Sequence, residues 1–231
     1  MTSGERAAHE AGARVTPGKR AAHEAGARMT PGKRIADVVG ALLLLVLTAP
    51  VLLTAMAAVA VTLGRPVCFR QTRTGLNLRR FELCKLRTMT GARDARGRLL
   101  PDGERLTRLG RLLRRASIDE LPGLVNVLRG EMSLVGPRPL LPRYEPFYTE
   151  RERLRFGVRP GITGLAQVSG RNAVAWDERL ELDARYAEAW TPALDLRILT
   201  ATAVLALTGR GAAADPAALM ADLDAERAAA R

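Results

Sequence analysis

Charge is absent from the chain between Val38 and Gly64, and this run of about 27 apolar and small residues dominates its hydropathy pattern. At about 1.5 Å rise per residue, a helix of that length reaches across a ~30 Å hydrocarbon layer. The run is too long for the core of a signal peptide, and no small-residue cleavage pattern follows it. It is therefore expected in a membrane. Pro50 lies near its middle, where proline frees the carbonyl of Val46 and predicts a kink. Thr48 is placed to bond back to Leu44 and deepen the bend. Lys33 and Arg34 precede the run, while Arg65, Arg70, Arg73, Arg79 and Arg80 follow it. Basic flanks stay on the cytoplasmic side, so two of them favour a re-entrant helix that dips in and returns, over a signal anchor that tolerates its proline.

Downstream the period changes. Pro66 to Gln71 and Phe81 to Met89 read as short strands, and Thr74-Gly75-Leu76-Asn77 between them predicts a β-hairpin turn. Gly91 to Arg105 is polar and aperiodic, with Gly97, Pro101 and Gly103, and is expected to be a flexible loop. Leu106 to Arg115 has helical spacing with a basic face, and Leu121, Leu124, Val125 and Leu128 continue a helical pattern to Arg129. Tyr144, Phe147 and Tyr148 lie on an amphipathic stretch suited to a bilayer interface. Trp176 to Trp190 predicts a charged helix, and Ile198 to Leu207 is apolar but too short to span, so it belongs in the core or the interface. After Gly209 an Ala-rich tail begins, in which Asp215-Pro216 can cap a last, dispensable helix. At the other end, Arg6 to Lys19 recurs as Arg20 to Lys33, with only Val15 and Met29 differing. Two such short, weakly apolar copies build no solenoid, so a disordered arm is expected, with Met29 as the translational start.

Composition narrows the function. Lys plus Arg number 36 against 24 Asp plus Glu, a formal charge of +12, which favours polyanions such as anionic headgroups, phosphorylated substrates or nucleic acid. Aromatic residues are only 4%, few for stacking single-stranded bases. Cys68 and Cys84 make neither a disulfide framework nor a metal cluster and suit a reducing compartment. The two histidines, His9 and His23, both lie in the arm. Catalysis in the folded part must then fall to carboxylates, lysines, hydroxyls or a phosphate-bound hard cation such as Mg²⁺. Neither a Walker phosphate loop nor a G-x-S-x-G nucleophile elbow occurs.

The candidate chemistry concentrates in Ser117-Ile118-Asp119-Glu120-Leu121-Pro122, which follows the basic run Arg111 to Arg115. Ser117 and Glu120 stand in capping-box spacing, so the plain reading is a well-made helix N-terminus. The functional reading is a carboxylate nucleophile toward phosphorus, kept ionised by arginines and the helix end. Arg114, Arg138 and Arg171 sit on separate elements that can converge as counter-charges to non-bridging oxygens. Pro137 and Pro139 stiffen the loop that carries Arg138, and Arg159 and Arg171 lie in glycine-punctuated turns. The plain alternatives are a solvated or headgroup-facing Arg114, and Lys85 and Arg87 as strand-edge charges.

In order along the chain, Lys33 to Ala41, Lys85-Leu86-Arg87-Thr88-Met89, Ser117 to Pro122, Met132 to Pro139 and Arg159 to Asn172 resemble the motifs of the bacterial sugar transferases. These are monotopic phosphoglycosyl transferases that begin glycan assembly on a polyprenyl phosphate. The resemblance runs from about Lys33 to Arg210 and is to the short form, similar to the enzyme that uses a UDP-linked diacetylated bacillosamine in protein glycosylation. It implies that Asp119 attacks the β-phosphate of a UDP-sugar, expels UMP and hands the phosphosugar to undecaprenyl phosphate. It implies Glu120 and Mg²⁺ as phosphate-positioning partners, with Asp119 and Glu120 as metal ligands. Lys85, Arg114, Arg138 and Arg171 are implied as substrate-binding residues, and Pro50 as the bend of a re-entrant helix. The family often has serine before that proline, where this chain has Ala49, leaving Thr48 as the substitute.

The expected protein is α/β but mostly helical: a single membrane-embedded domain with an N-terminal re-entrant helix, a small β-hairpin and interfacial amphipathic helices. Its expected divisions are an arm over 1–32, the re-entrant helix over 33–64, a catalytic domain over 65–211 and a tail over 212–231. Its expected partners are a UDP-sugar, polyprenyl phosphate and the lipid bilayer, not nucleic acid, and the sequence leaves a homodimer open. Its expected place is the cytoplasmic face of a bacterial inner membrane. The rival reading, a basic membrane-tethered module that binds lipid or nucleic acid without catalysis, leaves the Asp-Glu pair and the Arg138 loop unexplained.

Overall fold

The charge gap becomes one long helix, α1, over Pro31–Leu63, in a computed structural model that describes residues 30–170, 175–208 and 222–229. Thr30 caps it by accepting the Lys33 amide at 3.3 Å, and Pro31 takes the first helical position, where a missing N–H leaves nothing unpaired. The helix thus begins two residues inside the expected arm, of which residues 1–29 lie outside the described residues. Pro50 stays within the helix, and Thr48 donates to the Leu44 carbonyl at 2.6 Å, as its spacing predicts. Val46, Leu47, Leu53 and Val61 on α1 are exposed.

The buried side of α1 does more. Ala41 and Leu45 pack with Phe81, Leu83, Leu124, Val127 and Met132, whereas Leu52, Ala55, Met56, Val59 and Leu63 pack with Leu86, Leu109, Leu113 and Ile118. Both halves of a helix roughly 50 Å long therefore rest on the same body.

Strands β1 (Cys68–Thr74) and β2 (Arg80–Leu86) form the expected antiparallel hairpin, in register from Cys68 opposite Leu86 to Thr74 opposite Arg80. The loop expected to be flexible is held instead. The Asp94 carboxylate accepts the amides of Arg96 and Arg98, each at 2.9 Å, and the chain closes with a bridge between Met89 and Leu106. An aspartate binding its own downstream amides is a turn device that hydrophobic periodicity does not register.

Helix α2 (Arg108–Arg115) is capped by Thr107, and α3 (Leu124–Arg129) follows. Strands β3 (Ser133–Val135) and β4 (Gly161–Thr163) pair in parallel, Ser133 with Gly161 and Val135 with Thr163. Three-residue strands carry too few alternations to be read as such, and both were expected as loops. Gly161 is needed there, because a Cβ would overlap the Val135–Gly136 backbone.

Helices α4 (Trp176–Ala189), α5 (Pro192–Thr208) and α6 (Leu223–Ala229) complete the order. Tyr144 and Tyr148 are not interfacial: they are buried with Phe156, Trp176, Leu180 and Leu223, and Phe147 is half-buried. Tyr144 meets Trp176 edge-on at 5.6 Å and Tyr148 meets Phe156 at 5.4 Å, a preferred aromatic geometry. The apolar sides of α4 and α6 cover them. The last helix is docked rather than loose: Leu223 is fully buried, Tyr144 Oη donates to Asp222 at 2.6 Å, and Arg227 pairs with Glu152 at 2.6 Å. The expected Asp215-Pro216 cap lies outside the described residues. On α5, Ile198 is buried while Leu196 and Val204 are exposed.

Candidate active site

Helix α2 ends where the chemistry begins. Ser117 lies just past its C-cap in the left-handed region (φ 56°, ψ 19°), a common way to close a helix though uncommon for a non-glycine residue. Its carbonyl accepts the Glu120 amide at 3.3 Å, opening a 3₁₀ turn over Ile118–Gly123. The capping box expected from the spacing is therefore not formed: an N-cap needs an extended backbone, and the Ser117 side chain makes no cap bond. The sharp turn instead carries Asp119 inward, to 7% exposure.

Glu120 is the anchored carboxylate of the pair. Lys85 Nζ, from β2, donates to Glu120 Oε1 at 2.6 Å, and Arg138 Nη2, from the loop after β3, donates to the same oxygen at 2.9 Å. Burial alone would raise the Glu120 carboxyl, but Arg138 and Lys85 outweigh it and hold the group far below the usual carboxylate range. The arrangement differs at Asp119. Burial pushes its carboxyl up and the neighbouring Glu120 pushes the same way, while Lys85, Arg114 and Arg138 only partly offset them. Of the arginines expected to keep Asp119 ionised, Arg138 is thus engaged by Glu120. Among the described residues, the hydrogen bonds of this carboxylate pair go to Glu120 and leave Asp119 without a donor.

The remaining expected residues divide. Arg114 is exposed on α2 and its Nε donates to Thr88 Oγ1 at 3.0 Å. Thr88 is buried at the end of the hairpin, and Gly110 packs on its carbonyl so closely that a Cβ would overlap it. Arg171 lies outside the described residues. Arg159 is structural: its Nε donates to the Gly130 carbonyl at 2.9 Å, closing the end of α3.

Four further residues were not singled out in the sequence. Arg155 and Asp183 form an ion pair at 2.9 Å with both side chains 2% exposed. Burial pushes the Asp183 carboxyl up to about 6, against the pull of Arg155, Arg179 and Arg138. Burial, with Arg138 adding to it, brings the Arg73 guanidinium down to about 10, and burial and Arg138 likewise lower Arg179. Asp183 did leave a signal, because it shares the inward side of α4 with Trp176, Leu180, Ala184 and Ala187. An aspartate on an apolar stripe is a buried charge in search of a partner. Arg155 lies on an aperiodic 3₁₀ turn, Glu152–Gly157, and left none.

The result is a cation-rich cluster, with Lys85, Arg114 and Arg138 around the Asp119–Glu120 pair and the buried Arg155–Asp183 pair behind Arg138, suited to an oligoanionic ligand such as a diphosphate. No group of three or more His, Cys, Asp or Glu side chains able to hold a metal exists among the described residues. Asp119, which accepts no hydrogen bond among the described residues, fits Mg²⁺ in its usual mode, held by one or two carboxylates together with substrate phosphate oxygens, whereas Glu120 Oε1 is already taken by Lys85 and Arg138.

Comparison with known proteins gives a family model described as bacterial sugar transferase, which matches residues 28–209. The chain is 52% identical over 171 residues, 74% of its length and 85% of the relative's, to an uncharacterized sugar transferase of Bacillus subtilis. It is 44% identical over 183 residues, 73% of its length and 67% of the relative's, to a UDP-glucose:undecaprenyl-phosphate glucose-1-phosphate transferase of Caulobacter vibrioides. A protein of the same description from Escherichia coli is 37% identical over 172 residues, 70% of this chain but 37% of that longer protein.

Proposed function

The chain belongs to the bacterial sugar transferase family, and from that premise we propose that it moves a sugar-1-phosphate from a UDP-sugar to undecaprenyl phosphate and releases UMP. The names of the Caulobacter vibrioides and Escherichia coli relatives support this reading, with UDP-glucose as donor. The observation that carries it is the division of labour between adjacent carboxylates: Glu120 is held by Lys85 and Arg138, while Asp119 is buried with its lone pairs uncommitted among the described residues.

Asp119 is then the nucleophile. Its oxygen forms a bond to the β-phosphorus as the bond from that phosphorus to the bridging oxygen breaks, and UMP leaves with the bridging oxygen. An oxygen of undecaprenyl phosphate attacks the same phosphorus, breaks its bond to Asp119 and departs as the diphosphate-linked sugar, restoring the carboxylate. Arg138, Lys85 and Arg114 face the charge that develops on the non-bridging oxygens. Asp119, with Glu120 beside it, would hold Mg²⁺, and the chemistry that ion would supply is Lewis-acid stabilisation of that charge.

Membrane attachment follows from α1. Its exposed apolar side chains call for lipid, and the seating of both its halves on one body supports a re-entrant helix over a span. The basic flanks support a position for that body on the cytoplasmic face of the inner membrane.

The test is turnover of a UDP-sugar panel, UDP-glucose included, with undecaprenyl phosphate. UMP release is expected from at least one donor, and its absence across the panel ends the transferase reading. Without acceptor, a β-³²P-labelled donor should leave label on the wild-type protein and none on Asp119→Asn. A labelled Asp119→Asn protein ends the covalent reading.

A further inference from the structure

We propose that the buried Arg155–Asp183 ion pair is a positioning unit of the active site, gripping the main chain of Arg138 and so placing the Arg138 guanidinium on Glu120. The proposal rests on the transferase reading only for what the placed guanidinium then binds.

The loop that carries Arg138 has an unusual fastening problem. Pro137 and Pro139 lack amide hydrogens, so the segment can be held mainly through its carbonyls. Each of four consecutive carbonyls is taken. Pro137 accepts the Gly161 amide at 2.9 Å, Arg138 accepts Arg155 Nη2 at 2.5 Å, Pro139 accepts Arg73 Nη1 at 3.4 Å and Leu140 accepts the Thr74 amide at 3.2 Å. Of these, the bond at Arg138 is the shortest, the one charge-assisted bond with good geometry, and the one directly behind the functional side chain.

Arg155 can serve because its own position is fixed on two further sides. The same Nη2 donates to Asp183 Oδ2 at 2.9 Å, and Nη1 donates to Tyr148 Oη at 3.1 Å. The guanidinium also lies over the Tyr148 and Phe156 rings, 5.5 Å from each centroid. A rigid planar fork that meets three acceptors on three elements is a task for arginine, and lysine cannot reproduce it. Stability alone does not explain the pair. Burying two charges costs several kcal/mol of desolvation, and packed apolar residues often hold such a site equally well. The linkage runs from α4, through Asp183 and Arg155, to the Arg138 carbonyl, and from the Arg138 guanidinium to Glu120 beside Asp119.

Two variants test it in the full chain. Arg155→Met with Asp183→Leu removes both charges at similar volume and is expected to fold. Asp183→Ala keeps the arginine and removes its anchor. Hydrogen–deuterium exchange is expected to quicken at the Gly161 and Thr74 amides, which donate to the Pro137 and Leu140 carbonyls, with β2 and α4 unchanged. For the donor that the wild type turns over, KM is expected to rise about tenfold or more, since a misplacement on the order of 1 Å can cost about a hundredfold. A merely structural lesion would reduce the active fraction and so kcat, leaving KM in place. Wild-type exchange at Gly161 and Thr74 together with wild-type KM in both variants overturns the proposal. If the wild type itself turns over no UDP-sugar, the transferase reading fails, and the exchange measurement alone decides whether the pair positions the loop.

Discussion

Lys85 Nζ stands 2.6 Å from Glu120 Oε1, an ion pair that ties the hairpin to the turn carrying Asp119. Arg138 and Lys85 hold the Glu120 carboxyl well below the usual carboxylate range, which favours a negative charge beside Asp119. The two partners thus act on Asp119 with opposite sign: Glu120 raises its pKa and Lys85 lowers it.

This opposition predicts pH profiles. On the proposed mechanism Asp119 attacks as the carboxylate, so the rate should fall as pH drops through its raised pKa. Glu120→Gln removes the like charge and should move the acid limb of UMP release to lower pH. Lys85→Met removes an opposite charge and should move it to higher pH. Limbs that shift in the same direction in both variants would refute the assignment.

Gly110 predicts a steric effect. An added Cβ overlaps the Thr88 carbonyl oxygen and lies 2.9 Å from its carbon, so Gly110→Ala should cost about 1–3 kcal/mol by overpacking. The disturbance reaches Arg114 through Thr88. Gly91→Ala, where a Cβ meets nothing within 4 Å, is the control in thermal unfolding. Equal melting temperatures for the two variants would remove Gly110 from the site's support.

The seating of α1 predicts sidedness. Cysteines introduced at Gly32 and Arg96, in a Cys68→Ser, Cys84→Ser background, should react with a membrane-impermeant maleimide from the same side of sealed vesicles. Both positions are exposed and lie at the start of α1 and in the Asp94 loop. Labelling from opposite sides would show α1 to span.

Docking of α6 predicts that the tail matters. Leu223→Ala removes a fully buried side chain from the aromatic cluster and should cost about 2–5 kcal/mol. Arg151→Ala breaks exposed pairs with Glu181 and Glu188 and should cost about 1 kcal/mol or less. Denaturant midpoints compare the two. A Leu223→Ala protein as stable as wild type would restore the view of a dispensable tail.

Part of this protein is legible one residue at a time. The charge gap, the proline and the Thr48-to-Leu44 bond needed only the helical period and a hydroxyl four residues from a carbonyl. The hairpin needed only its turn residues, and Arg138 between two prolines announced a stiff loop whose carbonyls prove to be clamped. The expected capping box shows the limit of such reading. Spacing alone cannot tell a serine that opens a helix from one that closes the previous helix, because the left-handed φ of Ser117 is set by what α2 and the 3₁₀ turn each pack against.

The amino-acid sequence by itself determined the apolar helix, the hairpin, the adjacent carboxylates and the excess of arginine, because each follows from residue type and short-range periodicity. Tertiary structure decided which carboxylate is held and which is left for chemistry. Lys85 and Arg138 reach Glu120 across separations of 35 and 18 residues, and the choice of one oxygen by both depends on where β2 and the β3 loop come to rest. It also brought Asp183 and Arg155 together behind Arg138, since a buried ion pair is defined by the low-dielectric core around it, which no single stretch of chain contains.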